Sequence, residues 1–169
     1  MKNIVLVGLM GAGKTTVGKN LAEKMQKEFL DTDELIVKEE NRSINEIFAK
    51  EGEKYFRDLE KNIIAKVSAF SDKVISIGGG ALENTENISN LKKNGILFYL
   101  RADVEELEKR LQNATDRPLL KNTPMKEKLT ELLNKREKNY LLSQKIIDTT
   151  EKTIQEITQE IIKDYGTYN

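Results

Sequence analysis

Apolar residues follow two rhythms along the 169-residue chain, and the switches between them mark its elements. Three short runs are continuous rather than alternating: Ile4-Val5-Leu6-Val7, Val74-Ile75-Ser76-Ile77 and Ile96-Leu97-Phe98-Tyr99-Leu100. A strand that is apolar at nearly every position has both faces covered, the condition of a parallel sheet between helix layers. Phe29-Leu30 and Lys145-Ile146-Ile147 carry a weaker form of the same signal. Between these runs the apolar residues recur at helical spacing, as in Val17/Leu21/Met25, Phe56/Leu59/Ile63/Val67, Val104/Leu107/Leu111 and Ile154/Ile157/Ile161. Ser43-Ile44-Asn45-Glu46 and Thr153-Ile154-Gln155-Glu156 are capping boxes that mark two helix starts. Strand–helix alternation of this kind predicts an α/β fold with a parallel sheet covered on both faces. The length suits one domain, residues 1–169.

One stretch breaks the pattern. Gln112 to Pro124 carries both prolines of the chain, several polar residues and no periodicity. It reads either as a plain surface connection or as a mobile lid, at about 112–124.

The first apolar run ends in Gly8-Leu9-Met10-Gly11-Ala12-Gly13-Lys14-Thr15, which fits G-x-x-x-x-G-K-[ST] at every position. Glycines let a backbone turn its N–H groups inward around phosphate oxygens, and the helix that follows adds its positive end. In such a loop Lys14 reaches the β- and γ-phosphates and the Thr15 hydroxyl ligates Mg²⁺. A random match in a chain this long has a probability of roughly half a percent. Strand before and helix after are what the mechanism demands, so the loop predicts nucleotide binding. A GTPase switch needs D-x-x-G and N-K-x-D. No glycine has Asp three residues before it, and the nearest guanine reader, Asn134-Lys135-Arg136-Glu137, ends in the wrong residue.

Composition narrows the chemistry further. Lys+Arg and Asp+Glu both number 28, with the signs interleaved, which argues against nucleic acid or an anionic membrane as the main partner. There is no Cys and no His. Serine-hydrolase triads, phosphohistidine relays, thiolate nucleophiles and zinc sites of the usual ligands are excluded. A metal must then be a hard cation held by oxygens, and a general base a carboxylate. The apolar start Ile4–Met10 is too short for a membrane span and lacks a cleavage site, so a cytoplasmic protein is expected.

Several residues carry two readings each. Asp31 and Asp33 either cap the following helix or supply the carboxylates of a kinase that has no histidine. Six arginines stand against 22 lysines, so Arg is used sparingly. Arg136 shares the apolar stripe of Leu132 and Leu133, and Arg57 flanks that of Phe56. Each is either a buried structural ion pair or a fork for an anionic ligand. Gly78-Gly79-Gly80 lies at the presumed carboxyl end of a buried strand, where open α/β sheets bind ligands. The same triplet also reads as a tight strand-to-helix turn that needs positive φ, and the two readings can hold together.

Taken in order, these landmarks resemble the shikimate kinase family over almost the whole chain. They are Gly8–Thr16, Asp31-Thr32-Asp33, Ser43-Ile44 with Ile47-Phe48, Gly52-Glu53 with Phe56-Arg57 and Glu60, Gly78-Gly79-Gly80, Arg117-Pro118-Leu119-Leu120 and Arg136. The resemblance implies a three-layer α/β/α P-loop kinase fold with a five-stranded parallel sheet in the order 2-3-1-4-5. It implies transfer of the γ-phosphate of ATP to the 3-hydroxyl of shikimate, with Mg²⁺ as cofactor, in aromatic amino-acid biosynthesis. It places ATP on Gly11, Ala12, Gly13, Lys14, Thr15 and Thr16, with Arg117 over the phosphates and Arg110 near the adenine. Mg²⁺ falls to Thr15 and Asp31, and the substrate hydroxyl to Asp33. The shikimate carboxylate falls to Arg57 and Arg136, and the backbone of Gly78, Gly79 and Gly80 receives the substrate, chiefly at Gly79. Asp33, Lys14 and Arg117 are the catalytic set, the substrate-binding segment is about 32–60, and a monomer is expected. A gluconate kinase of the same fold is the nearest rival, disfavoured by Asp31/Asp33, Phe56-Arg57 and the Arg117 segment. A regulator that has lost turnover is disfavoured by intact Lys14, Thr15, Asp33 and Arg117. One departure is Asn41, where the family usually has Gly; Asn is the next-best residue for a left-handed helix end.

Overall fold

A computed structural model describes residues 1–112 and 124–168. Five strands, β1 (Asn3–Val7), β2 (Glu28–Asp31), β3 (Lys73–Ser76), β4 (Gly95–Arg101) and β5 (Lys145–Asp148), form one sheet. Its order is β2-β3-β1-β4-β5, and every pairing is parallel. Register is fixed at the centre, where Ile4 of β1 lies opposite Val74 on one side and Ile96 on the other. All of β1 is buried, as are six of the seven residues of β4. The two weak strand signals are the two edges. An edge strand lacks a neighbour on one side, so β2 and β5 keep exposed Glu28, Ile146 and Asp148 and cannot read as continuous apolar runs.

Among the described residues seven helices cover the faces of the sheet: α1 (Lys14–Met25), α2 (Thr32–Glu40), α3 (Ile44–Ser68), α4 (Thr85–Asn94), α5 (Val104–Leu111), α6 (Met125–Tyr140) and α7 (Ile154–Tyr165). Both capping boxes form, Ser43 with Glu46 opening α3 and Thr153 with Glu156 opening α7. Asn41 ends α2 in the left-handed conformation, φ 52°, as expected of it. The stripes Val17/Leu21, Ile63/Val67, Leu107/Leu111 and Ile157/Ile161 are buried. Ile154 departs from its stripe: at the first position of α7 it is exposed and borders the large cleft described below.

α3 is not one straight rod. Gly52 sits at φ 82°, ψ 175°, a backbone state open in practice to glycine alone, and divides the helix into two limbs. The first limb carries Ile44 and Phe48 and the second carries Phe56, Arg57 and Glu60, so the bend folds two apolar walls towards each other. Phe48 and Phe56 meet across it with ring centroids 4.9 Å apart.

Candidate active site

The carboxyl ends of β1, β2 and β3 open into a cleft of about 1170 Å³, lined by the phosphate loop, the start of α2, both limbs of α3 and Gly78–Gly80. Every residue given a catalytic, binding or metal role from sequence borders it except Arg117, which, with positions 113–123, lies outside the described residues. On the loop, Gly13 stands at φ 90° as the residue before α1 and offers no side chain to cap that helix. The first N–H groups of α1 therefore have no side-chain acceptor and point where phosphate oxygens bind. Lys14 Nζ donates to the carbonyls of Gly8 at 2.8 Å and Leu9 at 3.2 Å, which holds its ammonium above the loop.

Asp31 fills both of its readings at once. Oδ1 accepts from the backbone N–H of Asp33 at 3.0 Å and caps α2, while Oδ2 accepts the Thr15 hydroxyl at 2.8 Å. A hydroxyl and a carboxylate thus stand side by side next to Lys14. These donors suit a hard cation. Among the described residues no group of three or more Asp, Glu, His or Cys could hold a metal, so a cation at Thr15 and Asp31 would take its other ligands from water or phosphate, an arrangement that fits Mg²⁺.

Asp33 and Glu60 approach each other across Gly78. A Cβ placed on Gly78 would lie 3.0 Å from Asp33 Oδ1 and 2.6 Å from Glu60 Oε1. Glu60 is buried; its Oε2 accepts Arg57 Nη1 at 2.8 Å, and its Oε1 has no hydrogen-bond partner among the described residues. Burial and the Asp33 charge push the Glu60 carboxyl above its ordinary value, with Arg57 working in the opposite sense. Arg57 Nη2 reaches Glu53 at 3.3 Å, so both terminal nitrogens of this guanidinium are paired with glutamates. A Cβ on Gly80 would collide with that guanidinium, 2.7 Å from Cζ.

The glycine triplet corrects one expectation. None of Gly78, Gly79 and Gly80 adopts positive φ. Glycine is required for room, because the carboxylates of Asp33 and Glu60 press on Gly78 and the Arg57 guanidinium on Gly80. For both arginines of the cleft wall, Arg57 and Arg136, the ion-pair reading is realised. Arg136 is only 3% exposed and its Nε donates to Glu83 Oε1 at 2.6 Å. Arg110 is also tied down: Nε to Glu106 at 2.8 Å, Nη1 to the Thr149 hydroxyl at 3.1 Å and Nη2 to the Thr149 carbonyl at 2.9 Å.

Sequence reading left Glu83, Glu106, Thr149 and Tyr140 without a part. Tyr140 donates its hydroxyl to the Gly79 carbonyl, and burial raises its phenol well above the ordinary value. Its spacing four residues after Arg136, on one helix face, was the only available signal.

A phosphate loop at the carboxyl edge of a parallel sheet, facing a carboxylate pair and two inward arginines, defines a P-loop kinase of a small acidic metabolite. Comparison with known proteins bears this out. The shikimate kinase family model matches residues 10–165. A shikimate kinase of Caldanaerobacter subterraneus subsp. tengcongensis is 44% identical over 165 residues, 98% of this chain and 96% of that protein. Among solved structures, a shikimate kinase from Acinetobacter baumannii in complex with shikimate superposes with a TM-score of 0.95 at 36% identity, covering 100% of this chain and 95% of that one. Another, from Aquifex aeolicus, gives 0.84 at 35% identity over 97% and 96% of the two chains. The chain belongs to the shikimate kinase family. It is accordingly an ATP-dependent transferase.

Proposed function

We propose that the protein transfers the γ-phosphate of ATP to the 3-hydroxyl of shikimate, giving shikimate 3-phosphate and ADP. One observation carries this: a single cleft joins the phosphate loop to Asp33, Arg57, Gly79 and Arg136. The support from outside the chain is the Acinetobacter relative, which holds shikimate on the same fold.

In this reading Gly11, Ala12, Gly13, Lys14, Thr15 and Thr16 receive the ATP phosphates, and Arg110 borders the adenine. Thr15 and, through water, Asp31 would hold Mg²⁺, which would neutralise charge on the phosphate oxygens. Arg57, Arg136 and the Gly78–Gly80 backbone seat the acid so that its hydroxyl faces the γ-phosphorus. The hydroxyl oxygen bonds to that phosphorus, its proton passes to Asp33, and the bond to the ADP oxygen breaks. Lys14 and Arg117 offset the charge that develops on the transferring group. The segment 32–60 forms the acceptor wall, and the expected lid at about 112–124 falls almost wholly outside the described residues. Among the described residues no helix is long and apolar enough to cross a membrane.

A coupled ADP-release assay with shikimate, gluconate and nucleoside monophosphates tests the reading. Shikimate should raise turnover far above the ATP-only rate. Comparable stimulation by either competitor overturns the substrate and leaves the kinase standing.

A further inference from the structure

Glu83 closes the short turn Ala81–Glu83 that follows the glycine triplet. Its carboxylate is divided between neighbours on α6, with Oε1 on Arg136 Nε at 2.6 Å and Oε2 on Lys135 Nζ at 2.7 Å. The grip falls on the Nε edge of a planar group that has five donors in a rigid fork. The Nη edge is left towards Gly79, where an added Cβ would stand 3.7 Å from Arg136 Nη1. One turn further along α6, the Tyr140 hydroxyl bonds to the Gly79 carbonyl. Two bonds therefore join the same loop to the same helix face, and together they set how far Arg136 reaches and in which plane.

We propose that Glu83 is the positioning residue for Arg136, holding the guanidinium by its Nε edge so that the Nη edge meets the carboxylate of the acceptor as a ready-made fork. This rests on the reading of Arg136 as the ligand of that carboxylate. Lys135 completes the device. Without it, Glu83 would neutralise Arg136 and leave little attraction for a second anion. With it, the trio of Lys135, Glu83 and Arg136 carries one net positive charge, which the acceptor carboxylate balances. Burial raises the Glu83 carboxyl, but Lys135 and Arg136 outweigh it and hold it below the ordinary range, so Glu83 is charged at neutral pH.

The test compares shikimate with its neutral carboxamide as acceptor, using the whole enzyme and the same ADP-release assay. Glu83→Ala should raise KM for shikimate about tenfold, the loss of roughly one charge-assisted contact, while kcat and KM for ATP change far less. With the carboxamide the same variant should behave like the parent. Glu83→Gln, which keeps an acceptor for Nε, should recover most of the loss and guards against a folding defect in the alanine variant. Equal losses with acid and amide, or tighter binding of the acid, overturn the positioning role. Arg136→Ala is run alongside. If it discriminates acid from amide and Glu83→Ala does not, only the part given to Glu83 fails. If neither discriminates, the carboxylate reading of Arg136 fails and takes this inference with it.

Discussion

Arg136→Ala carries two losses that separate in the laboratory. The buried guanidinium leaves behind a Glu83 that still has Lys135 and some water, so the stability loss should be about 1–3 kcal/mol, that of a hydrogen bond to a charged group. Shikimate affinity should fall by a similar amount while ATP binding holds. Calorimetric titration beside a melting curve reads both, and unchanged shikimate affinity would confine Arg136 to structure. Lys14→Ala differs, because that ammonium bonds to carbonyls of the phosphate loop where the loop borders the open cleft. Turnover should vanish with the melting temperature nearly unmoved. Gly78→Ala should also abolish turnover, since its methyl would sit 2.6 Å from Glu60 Oε1 and 3.0 Å from Asp33 Oδ1. Normal activity in that variant would show that neither carboxylate needs its present place.

At the scale of elements, the bend in α3 invites the sharpest test. Gly52→Ala meets no steric contact, so any effect is backbone strain, expected at about 1–3 kcal/mol. KM for shikimate should rise as the Phe48 and Phe56 walls part, and a crystal or melting analysis showing neither change would deny the bend its role. This bend also shows where sequence reading stops. Gly8–Thr15 was legible because its chemistry is local and its residues contiguous. Strands β1, β3 and β4 were legible because burial on both faces leaves an unbroken apolar run, while β2 and β5 were faint because edges do not. Gly52 gave no such sign: Phe56/Leu59/Ile63/Val67 lies wholly in the second limb and says nothing of where the first limb points. The bond from Arg136 to Glu83 spans 53 residues, and nothing in either neighbourhood announces the other. For the glycine triplet only the expectation of positive φ failed, since room for a neighbour and freedom of φ call for the same residue.

For the whole molecule, the rings of Tyr99 on β4 and Tyr140 on α6 meet with centroids 5.0 Å apart, joining sheet to helix layer. Burial raises both phenols, Tyr99 to about 12 and Tyr140 further. An unfolded tyrosine titrates near 10, so above that pH the unfolded chain releases these protons first. Stability from the pair is fully present below about pH 10 and declines as pH climbs towards and past 12. Tyr99→Phe keeps the ring and removes one titration, so its unfolding transition, followed by circular dichroism, should shift to higher pH. An unshifted transition would place the alkaline weakness elsewhere.

The central strand has a history that its finished surroundings conceal. Ile4 pairs with Val74 and Ile96, so the most apolar strand is made first while both of its neighbours come some 70 and 90 residues later. As the chain leaves the ribosome, β1 has no hairpin partner and must wait, with its backbone edges open, for β3 and β4 to emerge. Ending those edges is a matter of distant closure, which is slow and leaves a sticky strand exposed meanwhile. The phosphate loop inherits the same delay, since it hangs from the end of β1 and has no fixed shape until that strand is seated. Until β3 and β4 have been made, the newborn chain therefore lacks the frame from which that loop holds nucleotide.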